Sequence, residues 1–184
     1  MNNKIPSFTG FTSAFTFHAD EIDDLTNGWR IEEHTITGLI DHEIPIGKAQ
    51  VHIITAAIAD EKGIERVFEN YDSRLYPIYE ALEHDIRNII ADGGIIVWLK
   101  DLSVNAEYRG YKFGSSYMNA LAKYAQQLDN GKLSLIVTEA GVINQDPLNG
   151  VSREEHEAKL AQVVNFYKSQ AFIQHESGVM SKLV

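Results

Sequence analysis

Three features of the sequence predict a mixed α/β layer structure. Two segments rich in β-branched residues lie in the first third of the chain. Three later stretches carry apolar residues with the 3.6-residue period of a helix, and short apolar runs fall between and after them.

Trp29 to Ile40 holds Ile31, Thr35, Ile36 and Thr37, and Lys48 to Ile58 holds Val51, Ile53, Ile54 and Thr55. The polar, Pro/Gly-punctuated stretch Asp41 to Gly47 suits a hairpin connection, which makes the two segments adjacent antiparallel strands. Glu61 to Ser73 fits no period and stays ambiguous. Leu75, Ile78, Tyr79, Leu82, Ile86, Ile89 and Ile90 form one helical face that stops before Gly93-Gly94. Pro77 is tolerated only in the first turn, where its missing N–H costs nothing, so this helix starts near Leu75 or Tyr76.

Ile95 to Leu99 reads as a buried strand that continues with alternating character to Val104. Ser115 to Leu128 is helical, with Met118, Leu121, Ala125 and Leu128 on one face and Asp129-Asn130-Gly131 as its stop. Leu133 to Val137 is the next strand. After an irregular polar stretch, Asn144 to Ser152, the capping box Ser152-x-x-Glu155 opens a helix through Leu160, Val163, Val164 and Tyr167. Ala171 to His175 and Val179 to Leu183 close the chain as short strands.

With 184 residues, 44% apolar and 23% charged, the chain suits one globular domain, residues 1–184, and is too apolar for disorder. Sixteen Lys and Arg against 26 Asp and Glu give a formal charge of −10, so neither nucleic acid nor an anionic membrane is an expected partner. The absence of cysteine excludes disulfides, Cys-ligated zinc and a Cys nucleophile. The start MNNKIPSFTGFTSAF has no basic region leading into an apolar run, and no run approaches the ~20 apolar residues of a membrane span, so a cytoplasmic protein is expected.

The stretch Leu102-Ser103-Val104 to Arg109-Gly110-Tyr111-Lys112-Phe113-Gly114 runs from a predicted strand through a turn into a predicted helix. Unpartnered N–H groups and the dipole at a helix start favour an anion, Gly110 and Gly114 permit close backbone approach, and Arg109 and Lys112 add positive charge to an acidic chain. The plainer reading is a tight turn at Gly110 beside a surface Arg109.

This strand, turn and helix resemble the acetyl-CoA motif of the GNAT acetyltransferase superfamily, in which a Val is followed by Arg-Gly-x-Gly-x-Gly/Ala. Here Val104 precedes Arg109-Gly110-Tyr111-Lys112-Phe113-Gly114, with Lys112 where the family usually has glycine. A second motif, Asn165-Phe166-Tyr167-Lys168-Ser169-Gln170-Ala171-Phe172, resembles the family's Phe-Tyr-x-x-x-Gly-Phe, with Ala171 in the glycine position. The resemblance covers residues 93–184 and leaves 1–92 as the acceptor-side strands and helix.

The resemblance implies a mostly antiparallel sheet of about seven strands, flanked by about four helices and splayed between the strand ending at Val104 and the one beginning near Leu133. It implies acetyl-CoA as cosubstrate, its pantetheine paired with backbone groups of Leu102, Ser103 and Val104, its pyrophosphate on the N–H groups of Arg109 to Gly114, and Asn165 as a further contact. It also implies a backbone oxyanion donor near Val104 and Tyr167 as the acid that protonates the leaving thiolate. Tyrosine, with an ordinary pKa near ~10, keeps its proton at neutral pH; the bland alternative for Tyr167 is a core aromatic on the face of Leu160, Val163 and Val164.

Without cysteine, direct attack of an amine on the thioester is preferred to an acyl-enzyme. Glu139 and Asp101 are both candidate bases, acting through a water, and both are equally readable as solvated carboxylates. The histidines, His18, His34, His42, His52, His84, His156 and His175, show no ligand spacing, and no metal is expected. Phe8, Phe11, Phe15 and Phe17 are read as core or lid residues. Asp20, Glu21, Asp23, Asp24, Glu32 and Glu33 favour a cationic acceptor, a small molecule or peptide bearing a primary amine. The expected function is thus an N-acetyltransferase. A non-catalytic acyl-CoA-binding or protein-interaction module is the alternative, and a homodimer is compatible with either.

Overall fold

The computed structural model describes residues 8–17, 29–56, 61–129, 131–141 and 152–184; of 8–17, 29, 56, 61 and 62 it describes the backbone. The chain runs through β1 (Phe8–Phe17), β2 (Trp29–Ile40), β3 (Ile44–Ala56), α1 (Glu61–Asn70), α2 (Leu75–Ala91), β4 (Ile95–Val104), α3 (Phe113–Leu128), β5 (Ser134–Glu139), α4 (Arg153–Ser169), β6 (Ile173–Gln174) and β7 (Val179–Leu183). The strands form a seven-stranded sheet in the order β1-β2-β3-β4-β5-β7-β6. Every pairing is antiparallel except β4 with β5. The mixed, mostly antiparallel α/β sheet and its flanking helices are as the sequence led us to expect.

Strand alternation divides the core into two layers. Ile95, Val97 and Leu99 of β4 and Ile136 of β5 join the cluster under α3 and α4, whereas Ile96, Trp98, Leu135 and Val137 join the cluster under α1 and α2. The seven apolar residues that define the α2 face are its buried ones, and Pro77 lies in its first turn. Its end is a Schellman motif: Gly93, at φ 73°, donates to the Ile90 carbonyl at 2.9 Å and Gly94 to that of Ile89 at 2.8 Å.

Several boundaries differ from the sequence reading, each for a local reason. The hairpin turn is only Asp41-His42-Glu43, and β3 starts at Ile44, because Ile44 and Pro45 pair with Ile40 and Leu39. Ile46 is then the extra residue of a bulge and is fully buried, so its apolar side chain outweighs the neighbouring Pro and Gly as a signal. The ambiguous Glu61 to Ser73 contains helix α1, held by buried Ile64, Val67 and Phe68 at i, i+3 and i+4. Helix α3 begins at Phe113 rather than Ser115, and the first C-terminal strand shrinks to Ile173–Gln174. An additional strand, β1, pairs with β2 from Phe8↔Ile40 to Phe17↔Glu32. The side chains of Phe8, Phe11, Phe15 and Phe17 lie outside the described residues, as do Asp20, Glu21, Asp23, Asp24, Asn130 and residues 142–151. No helix among the described residues is long and apolar enough to cross a membrane.

Helix α3 is docked on the sheet through buried Tyr117, whose hydroxyl accepts the Gly38 N–H at 2.5 Å. A Cβ at Gly38 would stand 2.5 Å from that oxygen and 2.6 Å from Cζ, so only glycine fits there. Gly38→Ala is expected to lower the unfolding free energy by about 1–3 kcal/mol through overpacking, while Gly141→Ala, which meets nothing within 4 Å, should stay within about 0.5 kcal/mol of the parent. Equal urea midpoints for the two variants would sink this reading of the α3 contact.

Candidate functional site

The β4–β5 ladder is short. It runs from Ile95↔Ser134 to Trp98↔Val137 and stops there. Beyond it, β4 stays with β3, and Val51 faces Leu99 while Gln50 faces Asp101, leaving Lys100 as the extra residue of a bulge. Strand β5 stays with β7 through Glu139↔Val179. A bulge bends its strand and sharpens the local twist, so the two centre strands part and a wedge opens between Leu99–Val104 and Thr138–Glu139.

Among the described residues, the edge of β4 beyond Trp98 that faces away from β3 has no strand partner. Asn105 N–H bonds the Ile46 carbonyl on β3 at 2.8 Å. Backbone alternation therefore turns the N–H and C=O of Leu102 and Val104 away from β3, towards the edge that β5 has left. Arg109 Nε takes the Val104 carbonyl at 3.0 Å. The guanidinium thus fixes the turn by one of its donors, in addition to bringing charge to it. Ser103 faces β3, its hydroxyl donating to the Lys48 carbonyl at 3.4 Å.

The turn into α3 is shaped for an acceptor of several N–H groups. Arg109 N–H reaches Ala106 O at 3.2 Å and Ser116 N–H reaches Lys112 O at 3.2 Å. Among the described residues, the N–H groups of Gly110 to Ser115 between them make no bond. Gly110 has φ 87° and open space where a Cβ would stand, and Lys112, the N-cap of α3, has φ 63° and ψ 17°. Lysine here holds a left-handed backbone that glycine adopts without strain, at a cost of ~1–2 kcal/mol. Tyr111 is exposed, whereas Phe113 is buried and contributes its ring to the core and only its backbone to the turn.

The second motif is tied to the first by packing. A Cβ on Gly114 would lie 3.1 Å from the Phe166 ring, so Gly114 lets α3 and α4 approach closely. Tyr167 is the buried residue of α4, 6% exposed, with the rings of Phe166 and Phe172 at 5.2 and 5.3 Å. Helix α4 ends in a Schellman motif: Ala171, at φ 64°, donates to Lys168 O at 3.0 Å and Phe172 to Tyr167 O at 3.1 Å. Ala171, like Lys112, therefore holds the glycine conformation without glycine. Asn165 is exposed on α4.

Tyr167 faces the wedge from the α3–α4 side. Burial above all, with the charge of Asp101, pushes its pKa up, while the neighbouring Thr138 side chain opposes them. Tyr167 and Asp101 are thus brought within electrostatic reach. Glu139 is not with them: β5 alternation sends it to the α1–α2 side, where burial raises its carboxyl pKa, Arg74 lowers it and Asp72 raises it.

On that side stands a charged cluster that the sequence reading did not single out. Asp72, between α1 and α2, accepts from Arg74 N at 3.0 Å, from Arg74 Nε and Nη2 at 3.3 Å each, and pairs with Lys100 Nζ at 3.1 Å. Arg74 and Lys100 both lie 5.4 Å from the Trp98 ring, and His52 stacks on Trp98 at 4.8 Å while its Nδ1 bonds Tyr71 at 2.9 Å. The Asp-Ser-Arg turn between two helical stretches was the signal available for it. Among the described residues no group of three or more His, Asp or Glu could hold a metal ion.

Comparison with known proteins finds no matching protein-family model and no matching curated protein. Among solved structures, the chain is similar to arylalkylamine N-acetyltransferase 2 from Aedes aegypti, with a TM-score of 0.42 and 19% identity over 80% of this chain and 72% of that one.

Burial alone would raise the Asp72 pKa, but the bonds from Arg74 and Lys100 outweigh it and hold the carboxyl at about 2, below its ordinary 3.8. The folded state thus binds this proton more weakly than the unfolded chain. The stability contributed is complete above pH 4 and is lost as pH falls towards about 2. Asp72→Asn is expected to cost on the order of 2 kcal/mol at pH 7 and to flatten stability against pH in that window. An unchanged acid-unfolding curve would contradict it.

Proposed function

We propose that the protein is an N-acyltransferase that moves an acetyl group from acetyl-CoA to a primary amine by direct attack. The observation that carries this reading is the wedge between β4 and β5, with an unpaired backbone edge on one wall, a left-handed N–H-rich turn at its mouth and a buried tyrosine hydroxyl at its side. An extended amide chain pairs with such an edge as an added strand does, here on the Leu102 backbone groups, since the Val104 carbonyl is held by Arg109. The turn from Gly110 to Ser115 offers a run of N–H groups and a helix start to a pyrophosphate, with Lys112 and Arg109 supplying charge.

Acyl transfer then asks three things of the chain. The Val104 N–H, on the open edge, is the candidate donor to the developing oxyanion. Tyr167 is the candidate acid for the departing thiolate, since its raised pKa keeps it protonated at neutral pH. Glu139 is the stronger candidate base, because burial raises its carboxyl pKa above the ordinary carboxylate value and so increases its affinity for a proton. Asp101, in reach of Tyr167, acts through its charge on that hydroxyl. Residues 93–184 form the cofactor half of a single unit, 1–184, and residues 1–92 form the acceptor half. The net charge of −10 favours a cationic amine as acceptor.

Calorimetric titration with acetyl-CoA, followed by thiol release over a panel of amines and lysine peptides, tests the reading. Turnover with at least one amine is expected. Absence of binding removes the proposal, and binding without any turnover replaces it with an acyl-CoA-binding module. Tyr167→Phe should lower kcat by about 10²–10⁴-fold with acetyl-CoA affinity changed by less than about threefold; an unaltered kcat would take this tyrosine out of the reaction.

A further inference from the structure

We infer that the outer edge of β1 binds a second copy of this chain, with β1 lying antiparallel to β1 of that copy about a two-fold axis near Ser13 and Ala14.

The two edges of the sheet are unlike. At one end, β6 is only two residues long and gives an incoming strand little to hold. At the other, β1 has ten residues and pairs with β2 without a break from Gly10↔Leu39 to Phe17↔Glu32. Among the described residues no strand pairs with its other side. A strand in an antiparallel pair turns the N–H and C=O of every second residue away from its neighbour, so β1 presents a row of donors and acceptors outwards. Such edges are ordinarily guarded by charge, proline, a bulge or shortness. The segment FTGFTSAFTF contains no charged residue and no proline. Its one register shift, between Phe8 and Gly10, lies at the end and leaves the remaining stretch regular.

Charge selects the occupant. A chain of net charge −10 repels its own copies over most approaches, and two copies meet closely where neither brings a carboxylate. Of the strands, β2 carries Arg30, Glu32 and Glu33, β3 Lys48, β4 Lys100 and Asp101, β5 Glu139 and β7 Lys182, whereas β1 is neutral throughout. A neutral edge gives a charged foreign strand nothing to pair with and gives a second copy nothing to repel. Antiparallel pairing of a strand with itself is also two-fold by construction, so the same groups serve both chains and the contact closes at two. The nearest acids, Glu32 and Glu33, stand opposite Phe17 and Thr16. With the axis near Ser13 and Ala14, that end of one copy meets the Gly10 end of the other. At ~3.4 Å per residue the two acidic ends are then roughly 20 Å apart, beyond the ~8 Å over which charge carries at physiological ionic strength.

The absence of cysteine makes the test direct, because one introduced thiol can link only to another copy. An axis at Ser13 or Ala14 sets that residue opposite itself with Cα atoms about 4.5–5.5 Å apart, inside the ~4.4–6.8 Å that a disulfide spans. Sedimentation of the full wild-type chain at about 100 μM, a concentration suited to a weak interface, is expected to show a species of twice 20.7 kDa. Under mild oxidation, Ser13→Cys or Ala14→Cys should form a covalent dimer at least about tenfold faster than Lys159→Cys, whose side chain is exposed on α4. Thr12→Glu/Thr16→Glu, which brings carboxylates to the edge of both copies, should weaken association about tenfold. If that variant does not fold, Thr12→Lys/Thr16→Lys takes its place with the same expectation. A wild-type chain that sediments as a single copy at 100 μM overturns the inference. So does a dimer in which neither edge thiol links faster than Lys159→Cys, or one that the charged variants leave undiminished.

Discussion

One extra residue in one strand sets the geometry of the whole centre of the molecule. Because Lys100 is inserted against the Gln50–Val51 step, β4 cannot keep step with both its neighbours, and it stays with β3. Strand β5 keeps its partner β7. A sheet that were continuous here would consume every backbone donor and acceptor in its ladders. Parting after Trp98↔Val137 leaves, among the described residues, a stretch of β4 without a strand partner in the interior of a seven-stranded sheet, where edges are ordinarily absent. The bulge also delivers the Lys100 ammonium to Asp72, so the displacement that opens the wedge is fastened to the α1–α2 corner by an ion pair. Half-buried and shared with Arg74, that pair is of the kind whose rupture leaves an uncompensated charge.

The two helices that border the wedge are fixed by unusual backbone choices. Lys112 starts α3 and Ala171 ends α4 in the left-handed region, and neither is glycine. Each position pays strain to keep a conformation, which persists only where the surroundings determine it. For Ala171 the surroundings are visible in the two carbonyls its turn satisfies and in the Tyr167–Phe172 ring contact across the helix end. Tyr167 consequently serves packing, and the acid role proposed for it would use the same placement.

Much of this was legible in the residues. The α2 face was readable down to its seven apolar positions, because a helix packed on a sheet by one stripe obeys its period strictly. Strand β4 and the capping box at Ser152, whose hydroxyl accepts the Glu155 N–H at 3.2 Å, were equally plain. What escaped were features that depend on pairing. The bulge at Ile46 turned an apparent loop into strand, and nothing local to Lys100 announces that it has no opposite number. The separation of Glu139 from Tyr167 follows from strand alternation, but only once β5 is known to run to Glu139 instead of ending at Val137.

Helix α4 has 17 residues, and of these only Tyr167 is buried. Burying one aromatic side chain is worth roughly 1.5–3 kcal/mol, and Val163 and Phe166 add partial contacts with the same core, a thin attachment for a helix of this length and of the kind that opens locally before the rest of a fold. Its amide hydrogens would then exchange with solvent much faster than those of β4 or α2. An opening of α4 would carry the tyrosine away from the wedge, so that anything bound there would also hold the helix in place.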